Sequence, residues 1–140
     1  MSLASPTQDY HRSPTPTPIP AWCRGVLPVL IIKPKWGRRI LDGKKVLEIR
    51  RGNHKKHIGK RIGLCFSGTS AIQGHVDFVG TVGPLDLPMW GARRSEHCVP
   101  DEKLPYGKHT WGWAFANPER LSEPIRFERN AAVIFQSVRL

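Results

Sequence analysis

Apolar and polar positions follow a readable pattern from residue 26 onward. "VLPVLIIK" (26–33) is an apolar run rich in β-branched residues and predicts a buried strand. In "PKWGRRILDG" (34–43), Trp36 and Ile40 share a helical face. Pro34 suits a first helical position and Gly43 the position just past a helix end, so a short helix is predicted. "KVLEIR" (45–50) alternates, with Val46, Glu48 and Arg50 on one face and Leu47 and Ile49 on the other. A basic loop, "RGNHKKHIGK" (51–60), leads to the strand "RIGLCF" (61–66), the turn "SGTS" and the strand "AIQGHVDFVGTV" (71–82). Gly74 and Gly80 fall on the apolar face of that last strand, where glycines mark bends that close small barrels. Residues 84–108 carry no clear period beyond one helical turn near 89–97. "HTWGWAFANP" (109–118) predicts a strand ended by Asn-Pro, with Trp111, Trp113 and Phe115 on one face. "EPIRFE" (123–128) and "AAVIFQSVRL" (131–140) predict the last two strands. The order implies an α+β, mainly β fold: a small curled sheet or barrel of about six strands with one or two short helices.

The start of the chain differs. "SPTPTPIP" (13–20) places Pro at every second position, which favours an extended polyproline-like path. Residues 1–24 therefore read as a Pro/Ser/Thr-rich flexible tail or linker, docked at its end through Trp22 or recruiting a protein partner. Residues 25–140 read as one domain.

Charge sharpens this picture. Of the formal net charge of +11, residues 33–61 hold twelve Lys or Arg against Asp42 and Glu48. A positive field concentrated in this way favours a polyanion, with nucleic acid the first candidate. An anionic membrane fits less well, because no long amphipathic helix accompanies the charge and no apolar run approaches the roughly 18 residues of a span. The N-terminus lacks the apolar core of a secretory signal. Three cysteines (Cys23, Cys65, Cys98) without paired spacing make no disulfide framework, which suggests a reducing compartment, cytoplasmic or nuclear. His54 and His57 are three apart and His97 adjoins Cys98, but without a C-x-x-C pair no metal site is expected, and no cofactor. "GLCFSGTS" lacks the Gly-Lys-Ser/Thr ending of a phosphate-binding loop. A monomer is expected.

The most informative stretch is "KPKWGRRILDGKKVLEIR", which sets an aromatic, a helix and a strand among cations. Cations hold phosphate and an indole stacks on a base. Within it, Gly43, Lys45, Glu48 and Arg50 form the pattern G-x-K-x-x-E-x-R, which resembles the hallmark of the ASCH domain, a branch of the PUA-like superfamily. "IIKPKW", "IQGHVDFVGTV" and "WGWAFANPERLSEPIRF" resemble further blocks of that family in the same order, so the likeness covers residues 28–138. The resemblance implies a PUA-like β-barrel with a cleft beside its first helix. It also implies RNA-related work: RNA binding in coactivator-type and stand-alone members, hydrolysis of modified nucleosides or RNA in some small bacterial ones. The family's cleft residues map onto Lys45, Glu48 and Arg50, with Lys33 and Trp36 at the entrance.

The expected function is RNA binding in a basic cleft, using Lys33, Trp36, Lys45, Glu48, Arg50 and Ser67. Arg51, Lys55 and Lys56 would extend the track along the backbone. Two alternatives stand beside it: a metal-independent hydrolase of acetylated cytidine or RNA with Lys45 and Glu48 catalytic, and a protein-interaction module in transcription coactivation. The amidohydrolases of the family carry a threonine where this chain has Glu48, and a later acid for which Asp77 is the nearest candidate; Thr69 or Ser67 would have to supply a hydroxyl. One geometric condition decides much of this. Lys45 and Glu48 point to opposite faces of a regular strand, so they converge only if Lys45 still lies in the turn after Gly43, or if the strand bulges.

Overall fold

The computed structural model describes residues 21, 25–130 and 132–140. The reading of residues 1–24 as a tail, with Trp22 and Cys23, lies outside the described residues. The described residues form six strands: β1 (Val26–Ile32), β2 (Leu47–Arg51), β3 (Arg61–Phe66), β4 (Ala71–Val82), β5 (Thr110–Arg126) and β6 (Phe135–Arg139). Helix α1 (Pro34–Leu41) lies between β1 and β2. Helices α2 (Leu87–Ala92) and α3 (Arg94–His97) and a 3-10 turn (Gly107–His109) fill the segment between β4 and β5.

The strands form one sheet in the order β2-β5-β4-β3-β1-β6. β1 and β3 pair in parallel, and every other ladder is antiparallel. The crossover that a parallel pair requires carries α1 and β2, and it delivers β2 to the far edge. The sheet curls without closing into a complete barrel. Phe135 of β6 comes within 5.9 Å of Trp113 of β5 and 6.4 Å of Phe78 of β4, ring centre to ring centre. Inside the curl, Leu30, Ile32, Ile62, Leu64, Val76 and Phe115 meet Ile40 and Leu41 of α1. The other faces of β1 and β3 bury Leu27, Val29, Ile31 and Cys65 with Val138. β1 is thus covered on both sides, which explains its unbroken apolar run. A third cluster joins Leu47 and Ile49 of β2 to Leu85, Trp90 and Val99, and it ties the α2–α3 segment to the edge of the sheet.

The structure departs from the sequence pattern in four places. Strand β2 starts at Leu47, not Lys45. The two strands expected over 109–118 and 123–128 are one, β5. Ala116 pairs with Asp77 and Glu119 with His75, so Asn117 and Pro118 together stand opposite Val76. This bulge takes Asn117 at φ 52° and absorbs a proline that has no N–H to give the ladder. A second irregularity, between Arg120 and Ile125, accommodates Pro124 in the same way. The single helical turn near 89–97 is two short helices, and the last strand is confined to Phe135–Arg139. Gly74 is required where these parts meet: a Cβ there would stand 2.5 Å from the Glu119 carbonyl and 2.6 Å from the Leu41 side chain of α1.

Candidate nucleic-acid interface

The site is set by how α1 ends. Asp42 caps the helix and Gly43 turns left-handed at φ +78°. The Gly43 N–H donates to the Ile40 carbonyl at 3.0 Å and the Lys44 N–H to the Arg39 carbonyl at 2.9 Å, the bond pair of a Schellman cap. The Lys45 N–H also donates to Arg39, at 3.1 Å, so Lys45 is held in the turn and not in the strand. The condition set by the odd spacing is therefore met: Lys45 Nζ reaches 3.6 Å from Glu48 Oε1.

Lys45 is buried to 1 % exposure and Glu48 to 4 %. Lys45 Nζ donates to the backbone carbonyl of His97 and lies 4.7 Å from the centre of the Trp36 ring. Burial pushes its pKa below the ordinary lysine value of 10.5, and the Glu48 carboxylate pushes back. Glu48 is shared, for Arg50 Nε donates to its second oxygen at 2.8 Å. Arg50 Nη2 donates to the Ile31 carbonyl at 3.0 Å, and the guanidinium lies 5.6 Å from the Trp113 ring. Among the described residues only two of its five N–H donors are engaged.

The far wall is built by the loop after α3, and α3 backs it. Cys98 turns left-handed at φ 62°, ending α3. The His97 ring, wholly buried, stacks on Trp90 at 3.8 Å. Its Nδ1 accepts from the Val99 N–H at 2.9 Å, so Nε2 carries the proton and donates to the Trp90 carbonyl at 2.9 Å. Burial, with Lys45 and Arg94 nearby, lowers the His97 pKa and keeps this ring neutral. The Val46 N–H bonds the Glu96 carbonyl at 3.0 Å, and Cys98 Sγ lies 3.2 Å from the Lys44 carbonyl, so α3 is clamped along the whole turn that carries Lys45.

Between these two sides lies an open cavity of about 500 Å³. Lys33, Trp36, Lys45, Glu48, Arg50 and Ser67 all line it, from α1 and the residues flanking it, β2 and the turn after β3. Arg51, Lys55 and Lys56 do not: they are exposed and border none of the cavities described. Their loop is pinned elsewhere, with the His54 ring 4.6 Å and the His57 ring 4.8 Å from Phe135. Asp77 also lies away from the cavity, bonded to Arg61 at 2.9 Å and Asn117 at 2.8 Å. Thr69 Oγ1 donates to the Phe66 carbonyl at 2.8 Å and is not part of the lining either. Sequence reasoning missed the wall formed by Val99, Asp101 and Tyr106. No period or motif marks that segment; the one available signal was the pair of aromatics, Trp90 and Tyr106, inside an otherwise irregular stretch. Among the described residues no group of three His, Cys, Asp or Glu stands together as metal ligands, and no helix is long and apolar enough to cross a membrane.

A curled, mainly antiparallel sheet with a helix at its mouth and a cavity beside that helix defines a PUA-like, β-barrel-like fold. Within that class the chain has the fold of an ASCH domain. The ASCH protein of Zymomonas mobilis superposes with a TM-score of 0.59 over 71% of this chain and 72% of its own, at 18% identity. A serine-to-alanine variant of that protein gives a TM-score of 0.63 over 80% and 87% at 16% identity. A tyrosine-to-phenylalanine variant gives 0.59 over 71% and 74% at 18%. No family profile and no curated protein matches the sequence.

Proposed function

We propose that this chain is an RNA-binding ASCH module that holds one nucleotide in the cavity beside α1. The observation that carries this reading is the Lys45–Glu48–Arg50 network at an open cavity of about 500 Å³: a buried carboxylate fixes a cavity-lining guanidinium that has donors to spare among the described residues. In this reading Arg50 and Lys33 take phosphate or base edges, and Trp36 walls the base. Glu48 orients Arg50, and Lys45 is a positioning residue, its ammonium committed to Glu48 and the His97 carbonyl. The strong positive field of residues 33–61 draws the polyanion in.

Binding of a short labelled single-stranded RNA at low salt tests it. Affinity should fall steeply with salt, and Arg50→Ala should weaken it far more than Arg129→Ala. Absence of measurable binding at low salt overturns it.

One observation favours hydrolysis as a second reading: burial moves Lys45 toward the neutral amine that a base or nucleophile needs. Against it, Thr69 and Asp77 lie outside the cavity. Turnover of acetylated cytidine or RNA, abolished by Lys45→Ala in a protein that still folds, would replace binding by catalysis.

A further inference from the structure

A second basic feature adjoins the cavity. The outer face of α1 and the turn after it carry Lys35, Arg38, Arg39 and Lys44, all exposed. They border a shallow hollow of about 520 Å³ together with Asp42 and Cys98. Among the described residues none of these four cations has an ion pair. The one acid of the hollow, Asp42, is occupied by Arg120 at 2.6 Å. The cations are also steadied by rings. Lys35 Nζ lies 4.8 Å and the Arg39 guanidinium 5.7 Å from the centre of Trp36, and Arg38 lies 5.7 Å from Phe66. Trp36 is common ground, because it lines the cavity and holds Lys35 and Arg39 over its ring. The hollow is therefore concave, positively charged without internal neutralisation, and joined to the cavity by one indole.

We infer that the outer face of α1 is the track for the phosphates flanking the nucleotide in the cavity, so that the ligand is a single RNA strand and not a lone nucleotide. The inference rests on the cavity reading and deepens it. Eight helical residues span about 12 Å, room for a few successive phosphates. The ring contacts hold two guanidiniums and an ammonium over aromatic surface, which reduces the ordering cost when phosphate arrives.

The test compares a ten-nucleotide single-stranded RNA with a nucleoside 5′-monophosphate, each titrated at several salt concentrations. Replacing Lys35, Arg38, Arg39 and Lys44 together by alanine should weaken the ten-mer tenfold or more. It should lower the slope of log affinity against log salt by about 1.5–3, at ~0.7 per phosphate on a single strand. Monophosphate binding should not change. Arg38→Glu alone provides a milder variant in the same direction, with thermal unfolding as the check that the fold is intact. An unchanged salt slope for the ten-mer in both variants overturns the track. The two readings fail separately. A lowered slope in a protein whose monophosphate binding ignores Arg50→Ala upholds the track and removes the cavity, while Arg50-dependent monophosphate binding with an unchanged slope does the reverse.

Discussion

Two basic stretches stand side by side in the sequence and behave differently in the structure. The first, from Lys33 to Arg50, wraps a cavity and stacks its cations on Trp36, Phe66 and Trp113. The second, residues 51–60, holds Arg51, Lys55, Lys56 and Lys60 outward while His54 and His57 pin it to Phe135. Arg61, at its end, is neutralised by Asp77 at 2.9 Å and Glu119 at 3.5 Å. A similar density of cations, seven in 18 residues against four in ten, thus lines a cavity in one case and lies on an exposed loop in the other. The difference is concavity and aromatic support, not the number of cations.

The largest expected effect comes from breaking the network under the first stretch. Glu48→Ala leaves Lys45 buried without its carboxylate and should cost about 3–5 kcal/mol, the usual result of stranding one partner of a buried pair. Urea denaturation measures this, and a loss near zero would mean that Glu48 is not the anchor described. The surface pair Asp42–Arg120 makes the contrast: Asp42→Ala should change stability by no more than about 1 kcal/mol.

Next is packing under α1. Gly74→Ala places a methyl against Leu41 and the Glu119 carbonyl and should destabilise by about 1–3 kcal/mol. It should also loosen the turn that positions Lys45, lowering RNA affinity although residue 74 lies outside the cavity.

Acid should act on the second stretch first. Burial, with His54 and two lysines nearby, pushes His57 down from 6.5 to about 4; burial and Arg61 do the same to His75. A histidine with a lowered folded-state pKa contributes stability that is complete above 6.5. That stability is lost as pH falls from 6.5 toward 4, where the unfolded chain takes up protons and the folded one does not. The loss should be of order 1–3 kcal/mol per ring at 1.36 kcal/mol per pH unit. In a pH series of thermal unfolding, His57→Phe should flatten this window relative to the native chain; an equally steep window would exclude His57 as its source. The smallest effect belongs to Lys55→Ala with Lys56→Ala. Stability should move by less than about 0.5 kcal/mol, and RNA affinity by less than any substitution on α1.

Much of this was legible in the sequence, for physical reasons. Strands β1, β3 and β4 have strong patterns, β3 and β4 share a short turn, and the bounds of all three fall within a residue of those expected. Gly43 signalled the cap that resolves the spacing of Lys45 and Glu48. The continuity of β5 was hidden because Pro118 and Pro124 read as terminators until a partner strand supplies bulges to hold them. The burial of Lys45 was hidden because it depends on a carbonyl 52 residues away, at the end of a segment with no period of its own.

Arg50 has one more consequence. It sits on β2, at one end of the strand order, and bonds the Ile31 carbonyl of β1, next to the other end. That bond is a clasp across the gap the backbone leaves open. In the proposed binding mode a phosphate takes the donors that this clasp leaves unengaged, so occupancy of the cavity and closure of the sheet rest on the same side chain. Hydrogen exchange along β2 and β6 should then register the arrival of ligand as a tightening of the edges, together with greater protection of the cavity itself.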